Sequence, residues 1–328
     1  MAPNRKKILV PSNLGKQGVD ILRARDDIEL VIYPVAISLP DLHPMLADAH
    51  AIALSATPFK AAEAALSPAL QVVARIGVGF DAVEIPPLSA RKIPLMTTGI
   101  ANSTSVAEQA IGFFFALAKR HGELDRMVKG GTWMDRFNAV PMELSGKTAL
   151  VIGYGRIGTR TARKAAALDM HTLVYDPFVP QGMISGAGHE PVVDLDEAVA
   201  RADFITIHAP KSATTIGLFD AARLAKTKKG AYIVNTARGG IIDEPALHAA
   251  LVSGHIAGAG LDVFDMEPTP KNNSLLALPQ VLSAPHMAGV TVEAVAGMAR
   301  QTALNMLSVL DGQIIRDNVV NREVLDAI

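Results

Sequence analysis

Three residues, each just past a short apolar run, have the types needed to hold a carboxylate and pass a proton to an oxygen beside it. His286 lies in Ala284-Pro-His-Met-Ala-Gly289 and follows the strand-like run Val281–Ser283. Of the nine histidines, only His286 and His208 follow such runs; the others fall in predicted helices or turns. Strand ends matter because ligands bind at the carboxyl edge of an open α/β sheet. His208 has no carboxylate in its own segment and precedes Ala209-Pro210, so it reads more readily as a hydrogen-bonded strand-end residue than as an acid or base. For His286 a partner is available in Glu267, within Asp262-Val-Phe-Asp-Met-Glu267-Pro268. A carboxylate beside an imidazole fixes its tautomer and favours the imidazolium, which keeps a proton in reach of a substrate oxygen. Spacing alone leaves Glu267 equally readable as a solvated loop acid. Arg238 ends Ile233-Val-Asn-Thr-Ala-Arg238-Gly-Gly240, a strand followed by a glycine turn. A planar guanidinium there can grip a carboxylate in two bonds and polarise a neighbouring carbonyl; it can also serve only as an ion pair between domains.

A second pattern speaks for a cofactor. Gly153-Tyr-Gly155-Arg-Ile-Gly158 follows the apolar run Thr148–Ile152 and opens a helical stretch, Thr159–Leu168. A tight turn, a close backbone approach to a pyrophosphate and close helix–strand packing each call for a glycine, and the helix N-terminus supplies free N–H groups. The glycine pattern alone is a weak signal. It gains weight from Asp176, which ends the next strand, Thr172–Tyr175, at the distance where an acid meets the adenosine ribose hydroxyls. No Arg or Lys follows in Pro177-Phe-Val-Pro180 to pair a 2′-phosphate, so NAD is expected over NADP.

The elements that must carry these residues are short apolar runs alternating with helical patterns, the mark of βαβ units and parallel sheets. Ile8–Val10, Leu30–Ile32, Ala51–Leu54, Leu70–Arg75 and Leu95–Thr97 make one small doubly wound domain. A long helix is expected from a capping box at Ser105-Val-Ala-Glu108 to about His121. After an irregular stretch around Lys129–Pro141, a second series follows at Ala149–Ile152, Thr172–Tyr175, Phe204–Ile207, Tyr232–Asn235, Gly258–Leu261 and Val281–Ser283. Six strands are the count of a dinucleotide-binding sheet. A last long helix, Thr291 to Leu310, and the segment after it are expected to return to the first domain and make it discontinuous. The fold expected is therefore α/β with two doubly wound parallel-sheet domains: a Rossmann domain at 104–294 inserted in a flavodoxin-like substrate domain at 1–103 and 295–328.

Composition narrows the partners. The chain has 328 residues, which suits two domains. Its net charge is −1 and its 31 basic residues are dispersed, so no footprint for nucleic acid is present. The basic start is followed only by Ile8-Leu-Val10 before Pro11, too short for a signal peptide core, and Ala110–Ala118 is too short to span a bilayer. There is no cysteine, which removes thiolate chemistry, disulfides and cysteine-ligated zinc and fits a reducing, cytoplasmic setting. No metal site is expected.

Taken together, Arg75-Ile-Gly-Val-Gly-Phe-Asp81, Asn102–Glu108, Gly153–Gly158 with Asp176, Asn235–Gly240, Gly260–Phe264 through Glu267-Pro268, and Pro285-His286 resemble the D-isomer-specific 2-hydroxyacid dehydrogenase family over nearly the whole chain. The resemblance implies an NAD-linked oxidoreductase that moves a hydride to or from C2 of a small 2-hydroxy or 2-keto acid. His286 would be the proton donor and acceptor, Glu267 its partner and Arg238 the substrate-orienting cation. The cofactor would be held by Gly153, Gly155, Arg156, Ile157, Gly158, Asp176, Pro210, Thr236, Ala237 and Asp262, the last on the nicotinamide carboxamide, with His286 beside it. Substrate contacts would come from Ser55, Arg75, Val78, Gly79 and Asn102 besides Arg238. Family members of this kind are usually dimers that close a cleft between their domains, and the segment with Trp133 resembles the part that embraces the partner subunit.

Some positions depart from the family pattern. Members acting on phosphoglycerate often carry Arg before Ser-Ala-Thr, where this chain has Leu54 before Ser55-Ala-Thr57; Glu84 stands where Asp is usual. Leu54 speaks against a phosphorylated substrate and leaves Arg75 to bind a phosphate, bracket the carboxylate or pack beneath the Gly77-Val-Gly79 turn. A phosphoglycerate dehydrogenase without a regulatory domain is the alternative reading. A formate dehydrogenase-like enzyme would carry glutamine in place of Glu267, and a co-repressor-like NAD sensor would carry longer flexible tails.

Overall fold

The computed structural model describes residues 5–326. It divides into two units: Ser103–Gly289 form one, and the described residues on either side of that insert form the other. The boundaries thus follow residues 102 and 289, against 103 and 294 expected. The difference at the second has a local cause. Thr291 caps the helix Val292–Leu310 by accepting from the Ala294 N–H, and that helix packs whole on the first unit's sheet and on its helix Lys16–Arg23.

The first unit holds five strands, β1 (Lys6–Pro11), β2 (Ile28–Tyr33), β3 (Ala51–Leu54), β4 (Val72–Arg75) and β5 (Leu95–Met96), all parallel, in the order β2-β1-β3-β4-β5. That is the flavodoxin-like order. Alternate residues of each strand feed two cores. Ile8, Val10, Ala51, Ala53, Val72 and Ala74 face the helix Val292–Leu310, while Leu9, Ile52, Leu54 and Val73 face the opposite layer. The short strand β5 would leave an open edge, and the segment after the helix Val292–Leu310 covers it. Thr97 N–H donates to Asn318 O at 2.9 Å, Val320 N–H to Leu95 O at 2.8 Å and Leu95 N–H to Asn321 Oδ1 at 2.8 Å.

The second unit holds β6 (Thr148–Ile152), β7 (His171–Tyr175), β8 (Glu190–Pro191), β9 (Phe204–Ile207), β10 (Ala231–Asn235), β11 (Ile256–Leu261) and β12 (Val281–Ser283). Their order, β12-β11-β10-β9-β6-β7-β8, is all parallel and reverses between β6 and β9, the switch point where a Rossmann sheet binds its nucleotide. The sheet has seven strands rather than the six expected. The extra one, β8, is a two-residue edge strand containing Pro191, with no alternating pattern to announce it.

Two helix expectations need correction. The helix after residue 102 runs Ser103–Ala118, so Ser105 lies inside its first turns, buried, rather than at a cap. Glu108 does not reach back to the helix start but pairs with Lys164 Nζ at 3.1 Å on the neighbouring helix Gly158–Ala166. The helix also stops before His121. Arg120 adopts a left-handed backbone, φ 51°, and a separate helix, His121–Lys129, starts after it. No helix of the described residues is long and apolar enough to cross a membrane.

Candidate active site

One rung of the second sheet organises the site. Register pairs Ser283 with Leu261, Leu261 with Asn235, Asn235 with Ile207, Ile207 with Ile152 and Ile152 with Tyr175. Because all six strands are parallel, the residues just after this rung emerge on one edge. They are His286, Asp262, Arg238, His208, Gly153 and Asp176. Residues scattered over more than a hundred positions of sequence thus share one line.

His286 is set into the edge by Asp262. The buried carboxylate of Asp262, 1% exposed, accepts from Met287 N–H on Oδ1 at 2.8 Å and from Ala288 N–H on Oδ2 at 2.9 Å, while its carbonyl accepts from His286 N–H at 2.8 Å. These three bonds hold His286 at φ 56°, a left-handed conformation that costs an L-residue about 1–2 kcal/mol. Such strain persists where the surroundings over-determine it. Burial pushes the Asp262 carboxyl up from its ordinary value, against the pull of the two backbone N–H groups and the nearby imidazole.

The imidazole meets its partner across the next connection. His286 Nδ1 lies 2.7 Å from Glu267 Oε2, and the other oxygen of Glu267 accepts from Phe264 N–H at 3.1 Å. Both side chains are part-exposed, which leaves His286 Nε2 as the ring nitrogen facing outward from the pair. His208 is different. Its Nε2 meets only the hydroxyl of Thr206, at 3.1 Å, its Nδ1 is enclosed without a partner, and burial pushes its pKa down to about 3. It is neutral near pH 7 and a poor proton donor. Of these two histidines, His286 has a carboxylate against its ring and His208 a hydroxyl.

Arg238 stands at the end of a turn built by Asn235, whose amide donates to Arg238 O at 2.9 Å and whose oxygen accepts from Ala237 N–H at 3.0 Å. The guanidinium is half-buried and donates to Ala237 O at 2.6 Å. Thr236 is buried with its hydroxyl unpartnered, and Pro210 is exposed with its carbonyl accepting from Thr215 Oγ1 at 2.6 Å.

The glycine turn fits a dinucleotide. Gly153, at φ 89°, runs so close to the next strand's exit that a Cβ there would meet the His208 carbonyl at 2.9 Å. Ile157 stands at the N-terminus of the helix Gly158–Ala166, and the Arg156 carbonyl accepts from Arg160. At Gly155 a Cβ would meet nothing within 4 Å, so the turn presents bare backbone to open space, as a pyrophosphate requires. Asp176 accepts from Tyr154 N–H at 2.7 Å and from Phe178 N–H at 2.9 Å, which ties it to the same turn.

The residues expected on the substrate side lie in the first unit, at the carboxyl edge of its own sheet. Leu54 pairs with Arg75 in register and is fully enclosed in the core; Ser55 follows it and accepts from Asn13 Nδ2 at 3.1 Å. Arg75 Nε donates to Gly79 O at 2.8 Å, so it braces the Gly77-Val78-Gly79 turn. Asn102 is buried with its Oδ1 unpartnered. What sequence reasoning missed is the polar bracing around Glu267, supplied by Glu244, Asp265 and Asn273. Nothing in their spacing sets them apart from ordinary loop and helix-start residues.

Known proteins resemble the chain in sequence and in fold. Residues 111–288 match the profile of the D-isomer specific 2-hydroxyacid dehydrogenase, NAD binding domain. The chain is 36% identical over 316 residues to the D-3-phosphoglycerate dehydrogenase of Archaeoglobus fulgidus, covering 96% of this chain but 59% of that one, so it spans less than two thirds of that relative's length. It is 38% identical to the glyoxylate reductase of Thermofilum pendens, over 79% of this chain and 77% of that one. Among solved structures, D-lactate dehydrogenase from Aquifex aeolicus, complexed with NAD and lactic acid, superposes with a TM-score of 0.85 at 26% identity, covering 96% of this chain and 99% of that one.

Proposed function

The chain belongs to the D-isomer specific 2-hydroxyacid dehydrogenase family, and from that premise we propose that it moves a hydride between NAD and C2 of a small, non-phosphorylated 2-keto or D-2-hydroxy acid. The observation that carries the proposal is the 2.7 Å contact of His286 Nδ1 with Glu267 Oε2 on the same sheet edge as Arg238.

In the reducing direction Arg238 holds the substrate carboxylate in two parallel hydrogen bonds and orients the adjacent carbonyl. Bound NADH supplies the hydride that C2 accepts. His286 passes its Nε2 proton to the carbonyl oxygen, which becomes the hydroxyl, and Glu267 stabilises the imidazolium before transfer and keeps Nδ1 protonated after it. Asp262 keeps His286 aimed. Gly153, Gly155, Arg156, Ile157 and Gly158 hold the pyrophosphate, Asp176 the adenosine ribose, and Thr236, Ala237, Pro210 and Asp262 the nicotinamide end. In the first unit, Ser55, Arg75, Val78, Gly79 and Asn102 bind substrate.

The names of several relatives favour a second reading, a phosphoglycerate dehydrogenase. One residue weighs against it: Leu54 is sealed in the core at the position where phosphoglycerate-acting members often carry an arginine. We also propose a homodimer, since Trp133, Met134, Phe137 and Val140 form an exposed apolar run, and a cytoplasmic setting, on the cysteine-free composition. The test is NADH oxidation with glyoxylate, pyruvate, hydroxypyruvate, phosphohydroxypyruvate and bulkier 2-keto acids. Turnover of at least one that is lost in His286→Ala supports the reading; NADH binding with no turnover of any of them refutes it.

A further inference from the structure

Glu267 sits in a poorly anchored stretch. None of residues 265–274 is buried; the nearest enclosed side chains are Phe264 before it and Leu275 after it. A loop of that kind has no apolar packing to fix a carboxylate within hydrogen-bonding range of a ring nitrogen. Yet Glu267 is held on His286 at 2.7 Å.

The tethers come from another segment. Glu244 is the first residue of the helix Glu244–Val252, whose cap is Asp243, bonded to Ala246 N–H at 2.8 Å. Its own carboxylate is therefore not needed for capping and turns to the loop. Oε1 accepts from Asp265 N–H at 2.7 Å and Oε2 from Asn273 Nδ2 at 2.8 Å, so one side chain grips the loop on both sides of Glu267. Asn273 also donates to Thr269 Oγ1 at 3.2 Å, closing the distal half on itself. On the near side, Asp265 Oδ1 accepts from Gly240 N–H at 2.6 Å, two residues past Arg238. There the backbones are pressed together: a Cβ on Gly239 would stand 1.8 Å from Phe264 O. Phe264 is the residue whose N–H holds the second oxygen of Glu267.

We propose that Glu244 is a positioning residue of the acid–base pair: by bonding Asp265 and Asn273 it holds the loop that keeps Glu267 on His286 Nδ1. The assignment rests on the proposed roles of His286 and Glu267. Glu244 touches neither substrate nor cofactor and acts through Glu267 alone.

The test is a double-mutant cycle on the full chain, using the keto acid of highest turnover and NADH. Glu244→Ala removes both acceptors and lowers kcat by roughly tenfold, the scale of a hydrogen bond to a charged group, with NADH Kd by fluorescence unchanged within about twofold. Glu244→Gln, which keeps one acceptor and sets an amide donor against the other N–H, falls between Glu244→Ala and wild type. In a Glu267→Gln background, Glu244→Ala costs less than about a further twofold, because coupled residues are non-additive. A full tenfold loss in that background, or an unaltered kcat in Glu244→Ala, overturns the inference. If Glu244→Ala does not fold, the same cycle with Glu244→Gln decides. Should Glu267→Gln itself keep wild-type kcat, the acid–base reading fails first and this one with it; should Glu267→Gln lose activity while the cycle stays additive, only the role of Glu244 fails.

Discussion

A β-carbon on Gly158 would stand 1.8 Å from the carbonyl oxygen of Gly153, whereas one on Gly155, midway between them, would meet no protein atom within 4 Å. The two substitutions should therefore separate folding from binding. Gly158→Ala forces the helix off the strand and is expected to lower Tm sharply. Gly155→Ala is expected to keep the wild-type Tm and weaken NADH binding by an order of magnitude or more, because its methyl takes the space of the pyrophosphate. Fluorescence titration beside a thermal melt checks both, and wild-type NADH affinity in Gly155→Ala would remove the cofactor from this turn.

His286→Ala is expected to lose about 10²–10⁴-fold in kcat while binding NADH normally, the usual worth of a positioned proton donor. His208→Gln should lose far less. Near-normal turnover by His286→Ala, with collapse in His208→Gln, would reverse the assignment.

Asp176 should make NADH the far better cofactor, since its carboxylate repels a 2′-phosphate. Asp176→Ser should narrow the ratio of kcat/KM for NADH over NADPH. The same change frees Tyr154 N–H, so part of the loss with NADH will come from a looser glycine turn. Equal use of both cofactors by the wild-type protein contradicts the prediction.

His208 also sets a pH dependence of stability. Its folded pKa of about 3 lies below the ordinary 6.5, so between those values the unfolded chain binds the extra proton. Stability from this residue is fully present above about pH 6.5 and is lost as pH falls toward 3. At pH 5 the loss should be on the order of 1–2 kcal/mol. In His208→Gln the fall in Tm between pH 7 and pH 5 should be smaller than in wild type; identical slopes would show the imidazole to be solvated.

A non-phosphorylated 2-keto acid should be reduced with higher kcat/KM than phosphohydroxypyruvate, measured at fixed ionic strength because screening weakens selection for charge. With Leu54 sealed in the core, Arg75, whose Nε already donates to Gly79 O, is the one cation among the described residues at the β3 and β4 exits, and a phosphate dianion calls for more than a single guanidinium. Preference for phosphohydroxypyruvate that vanishes in Arg75→Ala would make the chain a phosphoglycerate dehydrogenase.

Much of this was legible in the residues. Strand runs such as Ala51–Leu54 and Phe204–Ile207 match the observed strands because fully buried parallel strands are continuous apolar runs. The placement of the candidate residues at strand ends was legible for the same reason: a parallel sheet brings every exit to one edge, so His286, Arg238 and Gly153 needed only to follow strands. Local signals failed where distant partners won. Glu108 had the spacing of a cap but found Lys164, and β8 exists because Val174 and its neighbours offer an edge, not because Glu190-Pro191 favours a strand. The grip of Glu244 on the Glu267 loop is a meeting across 21 residues that no periodicity encodes.

The segment that closes the edge of β5, and the helix Val292–Leu310 that covers the first sheet, are made only after the whole of Ser103–Gly289. At translation rates of about 5–20 residues per second the first sheet must wait roughly 10–40 s, with one apolar face uncovered, while the inserted unit is synthesised. The insert can thus complete its core while the unit that precedes it is still open, so the order of folding runs against the order of synthesis. Released chains truncated just after residue 289 should then be cut by protease within residues 5–102 and resist within 103–289; protection of the first sheet in them would mean it closes without its helix.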